Sequence, residues 1–213
     1  MTMVEWEAKF ERWLLQLDEG ADAAHGLTHI KRVVQNAKVL AENSGADLAI
    51  VVPAAWLHDC VSVAKDSPLR SQASRLAAQK AGEFLTEIGY AKELIPAIQH
   101  AIEAHSFSAE ITPTTLAAQI VQDADRLDSL GAIGVTRCIQ TGVAMNRQLY
   151  HPTEPFPINR KPDDTLSTID HFYTKLLTLA GTMQTEVGRV EAQKRTRFME
   201  AYLEQLRREI INN

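Results

Sequence analysis

A chain of 213 residues is long enough for one ordinary domain with a sizeable core, and 45% hydrophobic with 23% charged residues excludes a disordered or fibrous protein. The formal net charge of −5, with basic residues scattered along the chain, excludes a nucleic-acid polymer as partner. No apolar run reaches the roughly 18 residues of a membrane span, the opening MTMVEWEAKFERW lacks the apolar core of a signal peptide, and Cys60 and Cys138 form neither a disulfide framework nor a Cys-x-x-Cys clip, so a cytoplasmic, membrane-free protein is expected.

Residues 3 to 17 place Trp6, Phe10, Trp13, Leu14 and Leu17 at helical spacing, an amphipathic helix packed by its aromatic face. After DEGADAAHG, residues 28 to 42 carry Ile30, Val33, Val34, Ala37, Leu40 and Ala41 as the stripe of a second helix, with Thr28 as its N-cap. ADLAIVVPAAWLHD forms a third, with Pro53 in its first turns or kinking it, and it ends where His58-Asp59 begins. The polar SVAKDSPLRSQ leads into SRLAAQKAGEFLTEIG, closed by Gly89, and AKELIPAIQHAIEAHS gives a further helix. TPTTLAAQIVQDADRLDSLGAIGVTRCIQTGVAM reads as one or two helices broken near Gly131 or Gly134. LYHPTEPFPINRKPDD is a Pro-rich loop, and 147 to 163 is the candidate lid. Two C-terminal helices follow, the second from about Glu186 to Ile211. Its stripe of Phe198, Tyr202, Leu206 and Ile210 packs either on the core or on a second subunit, which leaves a homodimer open, while the charges of RFMEAYLEQLRRE balance at helical spacing. With no alternating β pattern the fold class is all-α, a single domain over residues 1 to 213 with the C-terminal helices, about 164 to 211, packed on the core.

The His58-Asp59 pair at the end of an apolar run raises a chemical question, because isolated buried charges are expensive unless hydrogen bonds, a counter-charge or a metal satisfy them. His29 opens the second helix beside its stripe, and in QDADRLD Asp125 lies four residues after Val121, on that residue's face. Three helices thus bring a His or Asp to the boundary of an apolar face, which is how bundles build metal sites. Two imidazoles and two carboxylates suit Mn²⁺, Fe²⁺, Co²⁺, Ni²⁺ or Zn²⁺, and the lack of thiolate argues against a structural zinc knot. Taken singly, each of these residues is more often core or cap than ligand; the ordered set carries the weight.

HGLTHIKRV, then LHD, then DADRLDSLGAIG resemble the HD superfamily of metal-dependent phosphohydrolases, whose ordered pattern is His, His-Asp, Asp on consecutive helices. EAHSFSAEITP and HFYTKLLTLAGTMQTEVGR look like its YedJ/YpgQ branch, so the resemblance covers most of the chain. It implies an HD-domain helical bundle in which His29, His58, Asp59 and Asp125 hold a divalent ion, Mn²⁺ first, with Fe²⁺, Co²⁺, Ni²⁺, Mg²⁺ or Zn²⁺ as the others. Asp123 is the second candidate for the last ligand, or else an acceptor for a ligating imidazole. The implied substrate is a small phosphorylated molecule, foremost a nucleoside triphosphate cleaved to release pyrophosphate by attack of metal-bound water. The alternatives are a phosphodiesterase, a phosphomonoesterase or a nucleotide-sensing module without turnover. The adjacent His-His pair and Gly-Tyr-Pro signature of two-metal members are missing, as is the Glu-Asp pair of guanosine tetraphosphate hydrolases.

Such chemistry needs cations for the phosphates and a proton carrier. Arg32, Lys65, Arg70 and Arg126 are the substrate-binding candidates, and His105 or His25 the proton carrier. The plainer readings are solvated charges for Lys65 and Arg70, a pair with Asp22 for Arg32, and a buried, hydrogen-bonded imidazole for His105. His151 and His171 read as structural or exposed, Ser74 and Asp128 as helix-surface residues, and Cys60 as small packing rather than a nucleophile.

Overall fold

A computed structural model of the chain describes residues 1–17, 23–61, 63, 70–106 and 109–211, with the side chains of residues 23–25 and 70 outside the description. Among the described residues there is no strand beyond an isolated bridge between Gln148 and Ser167, and no helix is long and apolar enough to cross a membrane. The chain gathers into two compact units, Met1–Asp125 and Arg126–Asn213.

In the first unit the helices are α1 (Met3–Leu17), α2 (Ala23–Ser44), α3 (Leu48–Leu57), α4 (Ala73–Glu87), α5 (Ile95–His105) and α6 (Leu116–Leu127), whose last turn crosses the boundary. α3 is the hub, touching α1, α2, α4 and α5. Every residue from Val51 to Leu57 is buried, as expected of a helix apolar all round. Asp47 caps it by accepting from the Ala49 N–H at 2.8 Å. Pro53 lies inside the helix and has no N–H for the carbonyl of Ala49 four residues earlier. The Tyr90 hydroxyl donates to that carbonyl instead, at 2.8 Å, so the proline leaves no orphaned acceptor. α1 packs by its aromatic face: Trp6 meets Tyr90 edge-on at 4.8 Å and Trp13 stacks on Phe84 at 4.0 Å.

α2 begins at Ala23, five residues before the expected start, so Thr28 is interior rather than an N-cap and His29 sits in the second turn. Ala23 and Ala24 are strong helix formers and extend the helix ahead of its apolar stripe. α5 begins at Ile95 rather than at the preceding Ala-Lys-Glu-Leu, because Pro96 fits only the first turn. Small residues on α4, among them Ala77, Ala78, Ala81 and Gly82, let α5 approach closely, and Gln99 donates to the Ala78 carbonyl at 3.1 Å. Ser74 is 3% exposed on this helix and Asp128 is 1% exposed, so neither is a surface residue. Arg137, the more exposed partner, supplies the counter-charge of the buried Asp128 carboxylate.

The second unit holds α7 (Gly131–Ala144), the single-turn α8 (Asp170–Thr174), a 3-10 stretch over Leu176–Thr182 and α9 (Glu186–Ile211). The break before α7 falls at Asp128–Leu130, and Gly131 takes the left-handed φ of +68°. The buried line of α9 is Gly188, Ala192, Met199 and Leu203, offset from the expected stripe, and Phe198 is 50% exposed. The Pro-rich segment before α8 is latched: Arg160 forks onto Asp170, with Nη2 2.7 Å from Oδ1, and the Asp163 N–H donates to the same carboxylate at 2.6 Å.

Candidate metal centre

Five side chains of the first unit converge. α2 presents His29, the C-terminal end of α3 presents His58 with Asp59 following it, α5 ends on His105, and α6 contributes Asp125. The apolar α3 carries His58 to zero exposure, while the Asp59 side chain is 52% exposed where the chain turns outward. His29 Nε2 lies 3.3 Å from Asp125 Oδ1 and 3.8 Å from Asp59 Oδ2. His58 Nε2 lies 3.4 Å from Asp59 Oδ2 and 3.9 Å from Asp125 Oδ1. His105 Nε2 approaches the other oxygen of Asp59 at 3.5 Å.

The backbone sets the tautomers. His58 Nδ1 is 2.8 Å from the Ala55 carbonyl and His105 Nδ1 is 2.6 Å from the Ile102 carbonyl, and a carbonyl only accepts, so both Nδ1 atoms carry the proton. In the neutral rings both Nε2 lone pairs therefore point at carboxylate oxygens, which are also acceptors. His58 Nε2 is buried without a hydrogen-bond partner. Lone pairs facing lone pairs at 3.4–3.9 Å need a positive charge between them, either protons or a cation.

The electrostatics agree. Burial pushes the Asp59 carboxyl up, but His58 and His105 more than reverse this and hold it well below the usual carboxylate range. Burial acts likewise on Asp125, and the His29 hydrogen bond and charge bring it down to about 2. Burial lowers the His58 imidazole, and Asp59 and Asp125 outweigh it to leave it raised. His29, His58 and Asp125 form one trio whose ligand atoms fit around an ion, and His58, Asp59 and His105 form another. Imidazole nitrogens with carboxylate oxygens fit a divalent metal, and backbone carbonyls fixing the far ring nitrogen are the usual support of ligating histidines.

The other sequence candidates fall elsewhere. Asp123 is fully buried on α6 and is absent from both trios. Arg32 is half-buried on α2, three residues after His29. Lys65, the side chains of Arg70 and His25, and Asp22 as the offered partner of Arg32 lie outside the described residues. Arg126 donates to the Thr182 carbonyl, a tie within the second unit. His171 Nδ1 pairs with Asp164 Oδ2 at 2.7 Å, and His151 Nδ1 accepts from the Glu154 N–H at 3.3 Å. Burial pushes the Cys60 thiol up to about 12, and its Sγ donates to the Ala77 carbonyl at 3.4 Å, so it packs as an inert thiol.

Two supporting residues escaped the sequence reading. Asn36 donates to the Ala124 carbonyl at 3.3 Å and ties α2 to α6 beside Asp125. Gln122 donates to the Ala104 carbonyl at 2.6 Å and ties α6 to α5 beside His105. The available signal for Asn36 was its place seven residues after His29, a polar side chain on the same helix face.

The model of the HD domain family matches residues 26–130. YpgQ of Bacillus subtilis (strain 168) is 31% identical over 202 residues, covering 93% of this chain and 90% of that protein. Among solved structures, an HD-superfamily hydrolase from Bacillus thuringiensis matches with a TM-score of 0.78 at 31% identity over 100% of both chains. Bacillus subtilis YpgQ in complex with ADP matches with a TM-score of 0.77 at 31% identity, over 100% of this chain and 98% of that one. The ordered His, His-Asp and Asp, converged in the helical first unit, and relatives matched over nearly their whole length lead to one conclusion: the chain belongs to the HD domain family of metal-dependent phosphohydrolases, in the branch that holds YpgQ.

Proposed function

We propose that the chain hydrolyses a small nucleotide, a nucleoside triphosphate foremost, releasing pyrophosphate, and that His29, His58, Asp59 and Asp125 hold the divalent ion, with Mn²⁺ as the preferred one. The observation that carries the ligand set is the buried, unpartnered Nε2 of His58 facing two carboxylates. The nucleotide is supported by the structure of YpgQ in complex with ADP. When bound, the ion supplies Lewis acidity to a phosphoryl oxygen and makes water nucleophilic at neutral pH.

The chain's own residues do the rest. Asp59 turns one oxygen to His29 and His58 and the other to His105, so His105 is set beside the ligand group without being one of the four. Its Nε2 lone pair accepts the proton released as the water oxygen bonds to phosphorus, and returns it to the leaving phosphate oxygen as the P–O bond breaks. Arg32, on the turn of α2 that follows His29, supplies a cation to the phosphate oxygens.

The test is release of phosphate and pyrophosphate from a panel of nucleotides with Mn²⁺, Co²⁺, Ni²⁺ or Mg²⁺ added, comparing the parent with Asp59→Ala. Pyrophosphate from triphosphates, reduced at least a hundredfold in the variant, is the expected result. A parent that binds metal and turns over no nucleotide sinks the nucleotide reading and sends the search to other phosphoesters.

A further inference from the structure

The second unit contains a cleft of about 370 Å³ floored by Phe156, Leu177 and Leu203, with Ile158 at its rim, and none of its residues belongs to the His/Asp cluster. Its wall is braced. Glu154 Oε1 accepts from the Ile158 N–H at 3.1 Å and the Asn159 N–H at 2.6 Å, and Arg160 Nε donates to the Glu154 carbonyl at 2.9 Å. With Arg160 also forked onto the buried Asp170, this Pro-rich segment holds one shape before any ligand arrives, which limits the ordering entropy that binding costs.

Of its charged and polar groups Glu204 is engaged by Arg208, and three others are not. Among the described residues Arg207, Tyr173 and Glu200 make no hydrogen bond or ion pair. Their neighbours on α9 do: Arg208 pairs with Glu204 at 3.1 Å, Arg195 with Glu191 at 2.9 Å and Arg189 with Glu186 at 2.6 Å. Arg207 and Tyr173 both line the cleft, and the Arg207 charge acts on the Tyr173 phenol. Glu200 precedes Arg207 by seven residues on α9, about 10 Å along the axis at 1.5 Å per residue.

We propose that this cleft is a second ligand site for a small, elongated aromatic anion, whose acidic group meets Arg207 and Tyr173, whose ring covers the apolar floor and whose N–H or O–H donor meets Glu200. An apolar concavity with a few convergent polar groups is the usual form of a small-molecule site. The unpaired guanidinium selects an anion, and the separation from Glu200 selects a body two rings long.

The probe is 6-(p-toluidino)naphthalene-2-sulfonate, which carries its sulfonate and its toluidino N–H at opposite ends of a two-ring body. Fluorescence titration of the full chain should give saturable binding of one probe per chain. Arg207→Gln should raise Kd roughly tenfold or more, the loss of one charge-assisted hydrogen bond, and Tyr173→Phe should raise it less. The uncharged N-phenyl-1-naphthylamine should bind parent and Arg207→Gln alike. Among the described residues the Arg207 side chain makes no hydrogen bond or ion pair, and an unchanged melting temperature and circular dichroism spectrum certify the variant. Equal affinity of the sulfonate probe for parent and Arg207→Gln, or no one-to-one binding to the folded parent, overturns the site.

Discussion

His58 shows how one residue ties sequence to chemistry. Its Nδ1–H is committed to the Ala55 carbonyl, its ring has zero exposure, and its remaining lone pair faces carboxylates. Replacing it with Ala removes one of the four proposed ligands and the group that most depresses Asp59, so metal content after dialysis against a stated Mn²⁺ concentration should fall to the background level. Helical circular dichroism should persist, because the α3 core residues Val52, Ala55 and Leu57 remain buried. Loss of helicity together with metal would make His58 a folding residue instead. Cys60, one residue beyond Asp59, is the opposite case. With a thiol raised to about 12 and 7% exposure it should resist alkylation in the native protein at neutral pH and react after denaturation. Fast native labelling of Cys60, located by peptide mapping, would show that this part of the chain opens.

At the scale of elements, close approach decides more than propensity. Gly134 lies in the first turn of α7, where a Cβ would sit 2.3 Å from the Ser129 carbonyl, a backbone atom fixed by the tight turn from α6. Gly134→Ala should therefore destabilise by roughly 1–3 kcal/mol, the usual cost of overpacking, despite alanine's better helix propensity. Urea unfolding checks this, and an unchanged midpoint would mean that the turn yields. The sequence marked a break near Gly131 or Gly134 but had no means of saying that the second glycine serves contact rather than conformation. The same limit explains α9. Its bounds were readable because its helical pattern runs long, but two neighbouring lines are both apolar, Phe198 with Tyr202 and Met199 with Leu203. Only the partner helix chooses between them, and α7 meets the line that contains Met199. The His, His-Asp, Asp order was legible because each member ends or flanks an apolar run. The ties made by Asn36 and Gln122 were not, since a buried amide on a helix looks like any other polar residue until its carbonyl partner is known. Ser74 and Asp128 were misread as surface residues because their burial is set by neighbours distant in the chain rather than by their own polarity.

For the molecule as a whole, stability should depend on ligand and on pH. An ion that binds only the folded chain stabilises it by mass action, so raising Mn²⁺ to about a hundredfold over its Kd should add about 2.7 kcal/mol. Asp59→Ala should abolish most of that gain. Acid should act on the second unit through Asp170, which is 1% exposed. Burial pushes this carboxyl up, and Arg160 with the Asp163 N–H overcomes it, so the folded pKa lies below the ordinary 3.8. A carboxyl depressed in the folded state stabilises fully above its unfolded pKa, and the contribution is lost as pH falls through the folded value. Asp170→Asn breaks the fork and leaves a partly buried guanidinium without its counter-charge, which costs about 3–5 kcal/mol near neutrality. Urea midpoints of parent and variant, measured stepwise from pH 7 to pH 3, should therefore lie far apart above about pH 5 and draw progressively together as pH falls below about 4, because acid removes from the parent the charge that the variant already lacks. A gap that stays constant down to pH 3 would show that Asp170 acts through packing and neutral hydrogen bonds rather than through its charge.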